Sequence, residues 1–218
     1  MLLFVTSCKK EDGTIGLTEA EVVEGLREAL TVGTDTSVAK VSRENGYFNH
    51  PVHKVLFPEE ASAVVDVVSV LPGGDLLIEE AVRKMNQAAE EAAKSATPIF
   101  VDAITGMTIG DGWAILNGHD SSATQFLENN TRAELYTTFK PTVQNALESV
   151  GAQQAFDEVM TLYNSIPFIT PVNTDLADHT TNQGLDGLFY EVQLEEGRIR
   201  RNPAHRVSEI LEKVFGEE

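Results

Sequence analysis

The sequence predicts an all-α protein, a single helical domain of roughly eight to ten helices with one or more kinked. Apolar residues recur at helical spacing along one segment after another. Capping residues, Gly or Pro punctuate the segment ends. Acid-first pairs four residues apart, such as Glu79 with Arg83, Glu80 with Lys84 and Glu90 with Lys94, add about 0.2–0.5 kcal/mol each to an exposed helix face.

In chain order, residues 1–7 form a short apolar run and residues 8–16 a polar stretch that reads as a tether. A domain over residues 17–216 follows. Thr18 and Glu21 have capping-box spacing, and Val22, Val23, Leu26, Ala29 and Leu30 make the face of the helix behind them. Gly33 is expected to interrupt that helix. Residues 43–57, with Asn45-Gly46, aromatics and two His, read as irregular chain. Pro58 starts a helix through Leu71, and Pro72-Gly73-Gly74 ends it. A long helix over residues 75–94 carries Val82, Met85, Ala89 and Ala92 on its inner stripe.

Residues 97–150 are the expected packing centre. Thr97-Pro98 reads as a helix start. Thr108 and Asp111 have capping spacing for a short helix through Trp113 that stops at Asn117-Gly118. Trp113, the single Trp, is expected to be buried, with Gly110 and Gly112 leaving room for close approach of other chain. Asp120 is expected to cap a long helix through Leu135, Phe139 and Leu147, kinked or split near Lys140 by Pro141. A helix carrying Phe156, Val159 and Tyr163 comes next, then an extended Pro-containing crossover near residues 165–173. Asn173 or Thr174 is expected to cap the helix of Leu185, Leu188, Phe189, Val192 and Ile199. A closing helix carries Val207, Ile210, Leu211, Val214 and Phe215.

Composition limits the partners. The 218 residues carry 16 Lys plus Arg against 34 Asp plus Glu, a formal net charge of −18. Nucleic acid and anionic membrane surfaces need a basic footprint that such a chain lacks. With one cysteine, Cys8, no internal disulfide can form. Val5-Thr6-Ser7-Cys8 resembles the lipobox of bacterial lipoproteins, in which the Cys becomes the lipidated first residue. The run before it is short and has no basic residue, so residues 1–7 read as a signal remnant. The expected partner is a membrane reached through the lipid anchor, and the expected address is the bacterial cell envelope, periplasmic or surface-exposed.

The C-terminal half carries a family resemblance. Asn173-Thr174-Asp175-Leu176, Gly184-Leu185-Asp186-Gly187-Leu188-Phe189, the stretch from Ile199 to Arg206 and Leu211-Glu212-Lys213-Val214-Phe215-Gly216 resemble the bacterial family called domain of unknown function 4197. Tyr47-Phe48-Asn49, Met107-Thr108-Ile109, Asn117-Gly118 with Asp120, and Phe139-Lys140-Pro141 extend it in order along the chain. Gly184 and His179 depart from the residues more usual there. The resemblance implies a mostly helical, secreted or lipid-anchored envelope protein. It supplies no activity, cofactor or catalytic residue.

Few side-chain groupings suggest chemistry. His50 and His53 lie close together, but no third ligand has motif spacing, so they read as exposed loop residues rather than a metal site. Asp102, Asp111 and Asp120 lack EF-hand spacing and read as caps and surface charges. Gly110-Asp111-Gly112 lacks the Lys of a phosphate-cradling loop, and no cofactor is expected. Arg198, Arg200, Arg201 and Arg206 are expected to pair with Glu195, Glu196 and Glu209. Two functional readings remain. One is a binding or interaction module for an apolar small molecule or an envelope protein, with Trp113, His119, Asp120 and Lys140 as candidate ligand contacts. The other is a hydrolase-like or metal-assisted enzyme built around Asp111, His119, Asp120 and Lys140. A polar pocket shared by those four residues favours the enzyme; an apolar tunnel or exposed groove favours the module.

Overall fold

The computed structural model describes residues 18–168, 175–206 and 208–215. Cys8, the apolar run before it and the polar stretch after it lie outside them. So do residues 169–174, Val207 and Gly216. Among the described residues the chain is all-α and strand-free. Its helices are α1 (Glu19–Val41), α2 (Ser62–Val68), α3 (Gly74–Ala93), α4 (Ala96–Thr105), α5 (Ile109–Leu116), α6 (Ser122–Ser149), α7 (Ala152–Asn164), α8 (Leu176–Arg201) and α9 (Glu209–Phe215).

The middle of the fold is a four-helix arrangement. α6 packs on α8 and α3, and α8 packs on α1 and α3. α4 and α5 cover α1 and α6, α7 lies on α3, and α9 closes over α1. Tyr47, Phe100, Phe139, Leu26, Met85 and Leu188 are among the largest side chains removed from water in the core.

Both capping boxes form as their spacing predicts. Glu21 accepts from the backbone and hydroxyl of Thr18 at 2.9 and 2.8 Å, and Asp111 does the same from Thr108 at 2.9 and 2.6 Å. Elsewhere tertiary packing overrides the local signal. α1 runs unbroken through Gly33, whose neighbourhood is buried against α8. α4 starts at Ala96, one residue before Thr97, with no side-chain cap. The segment after Pro58 divides into a 3-10 turn, Glu59–Ala61, and the short α2. α6 runs through Pro141 without splitting. Pro141 and Thr137 both lie on the exposed face, where the carbonyl that loses its partner can turn to water. Asp175 caps α8 by accepting from the Asp178 N–H at 2.9 Å. Residues 165–168 form turns continuing from α7 instead of the expected extended chain, because Ser165 and Ile166 still donate to Thr161 and Tyr163.

Trp113 is a correction. It packs against the core but stays half-buried. The face of α5 turned inward carries Gly112 and Ile115. A Cβ on Gly112 would sit 3.1 Å from Val23 Cγ2, so the glycine does permit close approach, of α1, but it turns the indole about 100° away from the contact line. Ile109, at the start of the same helix, is 49% exposed. Trp113→Ala is therefore expected to cost about 2 kcal/mol, roughly half the loss of a fully buried ring. Urea unfolding measures it, and a loss of about 3–5 kcal/mol would restore the buried reading.

Candidate functional site

The enzyme reading places Asp111, His119, Asp120 and Lys140 around one site. The structure gives them separate tasks. Asp111 closes the α5 capping box, and the Thr108 hydroxyl and N–H hold its carboxyl below the usual range. His119 is exposed, and its carbonyl accepts from the Ser122 N–H. Asp120 does not cap α6 but pairs with Arg201 at 2.8 Å. Lys140 reaches Tyr136, Asp175 and Asp178 at 3.2, 3.1 and 3.3 Å, tying α6 to the start of α8. The Tyr136 hydroxyl, followed by the Asp175 carboxylate, raises its ammonium pKa.

The Arg cluster is structural, but only Arg198 and Arg200 take the expected glutamate partners. Arg198 pairs with Glu195, and Arg200 with Glu196 at 2.9 Å. Arg206 donates to the carbonyls of Ile199 and Arg200, with no part taken by Glu209. On α3, Glu79–Arg83 and Glu80–Lys84 form at 2.8 and 3.3 Å. Glu90–Lys94 does not: Lys94 turns to Glu91, and Glu90 is buried.

That buried Glu90 begins a grouping that the sequence barely hinted at. Its carboxylate accepts the N–H groups of Asn45 and Tyr47 at 3.2 and 3.3 Å, fixing the chain as it leaves α1. Burial pushes the carboxyl pKa up, and these backbone donors pull against it. Asn45 takes a positive φ of 58°, which Asn tolerates better than most residues. Tyr47 is fully buried and donates to the Gly184 carbonyl at 2.6 Å. A little further on, Asn86 of α3 holds Val55 through both backbone groups, at 2.9 and 2.8 Å. The irregular chain between α1 and α2 is thus clamped at both ends against α3.

Between the clamps the chain lays His50 and His53 on α8. Gly187 makes this possible: a Cβ there would stand 2.6 Å from the Tyr47 ring and 2.8 Å from His53 Cβ. The two imidazoles stack, centroids 3.7 Å apart and planes within 5°, and Tyr190 meets both edge-on. Contrary to the exposed-loop expectation, the His53 side chain is 4% exposed and that of His50 28%. Burial lowers the His53 pKa, disfavouring the charged ring.

Glu191 of α8 faces both rings. Its Oε1 lies 3.6 Å from His50 Nε2 and 3.7 Å from His53 Nδ1, and its Oε2 lies 3.5 Å from Lys40 Nζ. Lys40 makes its closer pair with Glu195, one turn along α8. Two imidazoles, two carboxylates and an ammonium therefore meet where the end of α1, the following loop and the middle of α8 come together. Only the His50-x-x-His53 spacing hinted at it locally. Glu191 reads as one more helix acid until the fold brings it round.

No curated protein and no solved structure matches the chain. The profile of the family described as "Protein of unknown function (DUF4197)" matches residues 16–216, which takes in every described helix and the His50–His53–Glu191 grouping, and the chain belongs to that family.

Proposed function

We propose that this is a lipid-anchored protein of the bacterial envelope, periplasmic or surface-exposed, that works as a binding or interaction module. Support for the anchor comes from Val5-Thr6-Ser7-Cys8 and the polar residues that follow. No single helix among the described residues is long and apolar enough to cross a membrane, so an attached lipid would supply the membrane affinity.

The observation that carries the module reading is an exposed groove of about 790 Å³ along α7, in a fold where the four candidate catalytic residues serve separate structural contacts. Leu77 and Leu162 contribute apolar floor, and Glu148, Asp157 and Glu158 stand at the rim. An apolar floor with an acidic rim suits a protein surface that offers an apolar side chain among basic ones. This favours an envelope protein over an apolar small molecule as the partner. Trp113, His119 and Asp120 do not line this groove, and Lys140 lines a neighbouring one with Asp175.

Cys8→Ser is expected to move the protein from the membrane fraction to the soluble fraction in its native host. Unchanged fractionation would remove the anchor. Mass spectrometry of material co-purified with the anchored protein separates a protein partner from a small molecule.

A further inference from the structure

We propose that His50, His53 and Glu191 form a binding site for a divalent transition cation of the zinc class, with Nε2, Nδ1 and Oε1 as the ligand atoms. This goes beyond the anchored-module reading and does not depend on it. The three donor atoms lie within 4.8 Å of one another. Their separations from Glu191 Oε1, 3.6 and 3.7 Å, are too long for good hydrogen bonds. They are close to the spacing of about 3.4 Å between neighbouring donors around a tetrahedral ion with bonds of about 2.0–2.1 Å.

His53 supplies the second observation. Its Nε2 lies 3.3 Å from the Gly46 carbonyl, which can only accept, so Nε2 carries the proton and Nδ1 keeps its lone pair. That Nδ1 is buried, has no hydrogen-bond partner, and faces a carboxylate oxygen. Two lone pairs turned toward each other in a buried place repel unless a cation lies between them. A backbone carbonyl that fixes the far nitrogen of a liganding His is the usual outer support of such sites.

Glu191 needs the charge. Its side chain is 6% exposed, and its nearest cation, Lys40, stands 3.5 Å away on the other oxygen while pairing more closely with Glu195. Two imidazoles and one carboxylate match the three-ligand set of zinc sites that keep a fourth position for water. Magnesium and calcium prefer all-oxygen shells and fit poorly. The rings as they stand are stacked, so their in-plane lone pairs run side by side and do not yet converge. His50 is the ring that must move: it is the more exposed, and ligation by its Nε2 requires the ring to swing clear of the Val52 and His53 N–H groups, now 3.2 and 3.3 Å from Nδ1, and to carry its proton on Nδ1. The same exposure gives the ion its entry path.

The test uses the full chain carrying Cys8→Ser, so that the thiol does not compete, titrated with Zn²⁺ by calorimetry and with Co²⁺ by visible absorption. One equivalent of Zn²⁺ is expected to bind, with the intense ligand-field bands of four-coordinate Co²⁺. His50→Ala, at a partly buried loop position, and Glu191→Gln are each expected to weaken binding at least tenfold, with circular dichroism confirming that both variants stay helical. Lys40→Met, which removes the competing ammonium, is expected to tighten it severalfold. No binding at one equivalent, or binding that His50→Ala and Glu191→Gln leave unchanged, overturns the proposal.

Discussion

Glu196→Ala is expected to destabilise the protein by about 3–5 kcal/mol, the usual loss when one member of a buried ion pair is removed. The Glu196 side chain is 7% exposed, and that of its partner Arg200 is 11% exposed. Its carboxylate accepts the N–H groups of Ala123 and Thr124 at 3.0 and 2.8 Å and the Thr124 hydroxyl at 2.7 Å. Those are the second and third residues of α6, whose own N-cap position, Ser121, makes no side-chain bond. A side chain of α8 therefore caps α6, and its negative charge sits where the α6 dipole favours it. Arg200 continues the connection by donating to the Ile115 carbonyl at the end of α5, at 2.9 Å. Removing the carboxylate takes the acceptor from two buried helix-start N–H groups and the ion pair from the Arg200 guanidinium, which keeps its bond to the Ile115 carbonyl. Glu196→Gln, which keeps an acceptor oxygen, should lose less. Denaturant unfolding of both variants decides it, and a loss below about 1 kcal/mol for Glu196→Ala would show that water or Ser121 replaces the cap.

How much of this was legible in the sequence follows from the range of each interaction. The capping boxes at Thr18 and Thr108 are three-residue signals, and both form as read. The apolar stripes of α1, α3, α6 and α8 are periodic, and they do face the core. The same local grammar failed where a distant group took over the task. Asp120 looked like the cap of α6 because it precedes the helix, but Glu196 fills that role from α8 and leaves Asp120 to Arg201. Glu90 looked like the acid of a surface pair with Lys94. It is instead the inner anchor of the chain at Asn45 and Tyr47. Trp113 looked central because it is the largest residue in a Gly-rich stretch, whereas the register of α5 turns Gly112 and Ile115 inward.

The candidate site was half visible for the same reason. His50 and His53 are sequence neighbours, and their pairing could be noticed. Their burial could not, because it depends on Gly187 making room on α8 and on Glu90 and Asn86 holding the chain down. Glu191 and Glu195 are one turn apart on a helix rich in acids, with nothing in the local pattern to separate them from Glu196. Their different tasks appear only when α1, α6 and α8 are in contact.

Asn86→Ala tests the clamp under that site. Asn86 is fully buried, and its amide bonds the loop and its own helix: Oδ1 accepts the Val55 N–H at 2.9 Å, and Nδ2 donates to the carbonyls of Val55 and, one turn back in α3, Val82 at 2.8 and 2.7 Å. Val55 is itself fully buried, so neither of its backbone groups can turn to water without local opening. Each buried group left without a partner costs about 1–3 kcal/mol, so the two at Val55 put the expected loss at about 2–6 kcal/mol. Asn86→Leu refills the volume but offers no polar atoms, and it should be nearly as damaging. That outcome would separate lost hydrogen bonding from a simple cavity. Amide hydrogen exchange gives the sharper reading: the Val55 N–H should lose its protection in both variants, and the amides of residues 50–55 should follow, because the clamp holds the two imidazoles against α8. If Val55 stays protected in Asn86→Ala and the unfolding free energy moves by less than about 0.5 kcal/mol, the loop is held by Tyr47 and Gly187 packing instead. Asn86 would then be a satisfied bystander in the core.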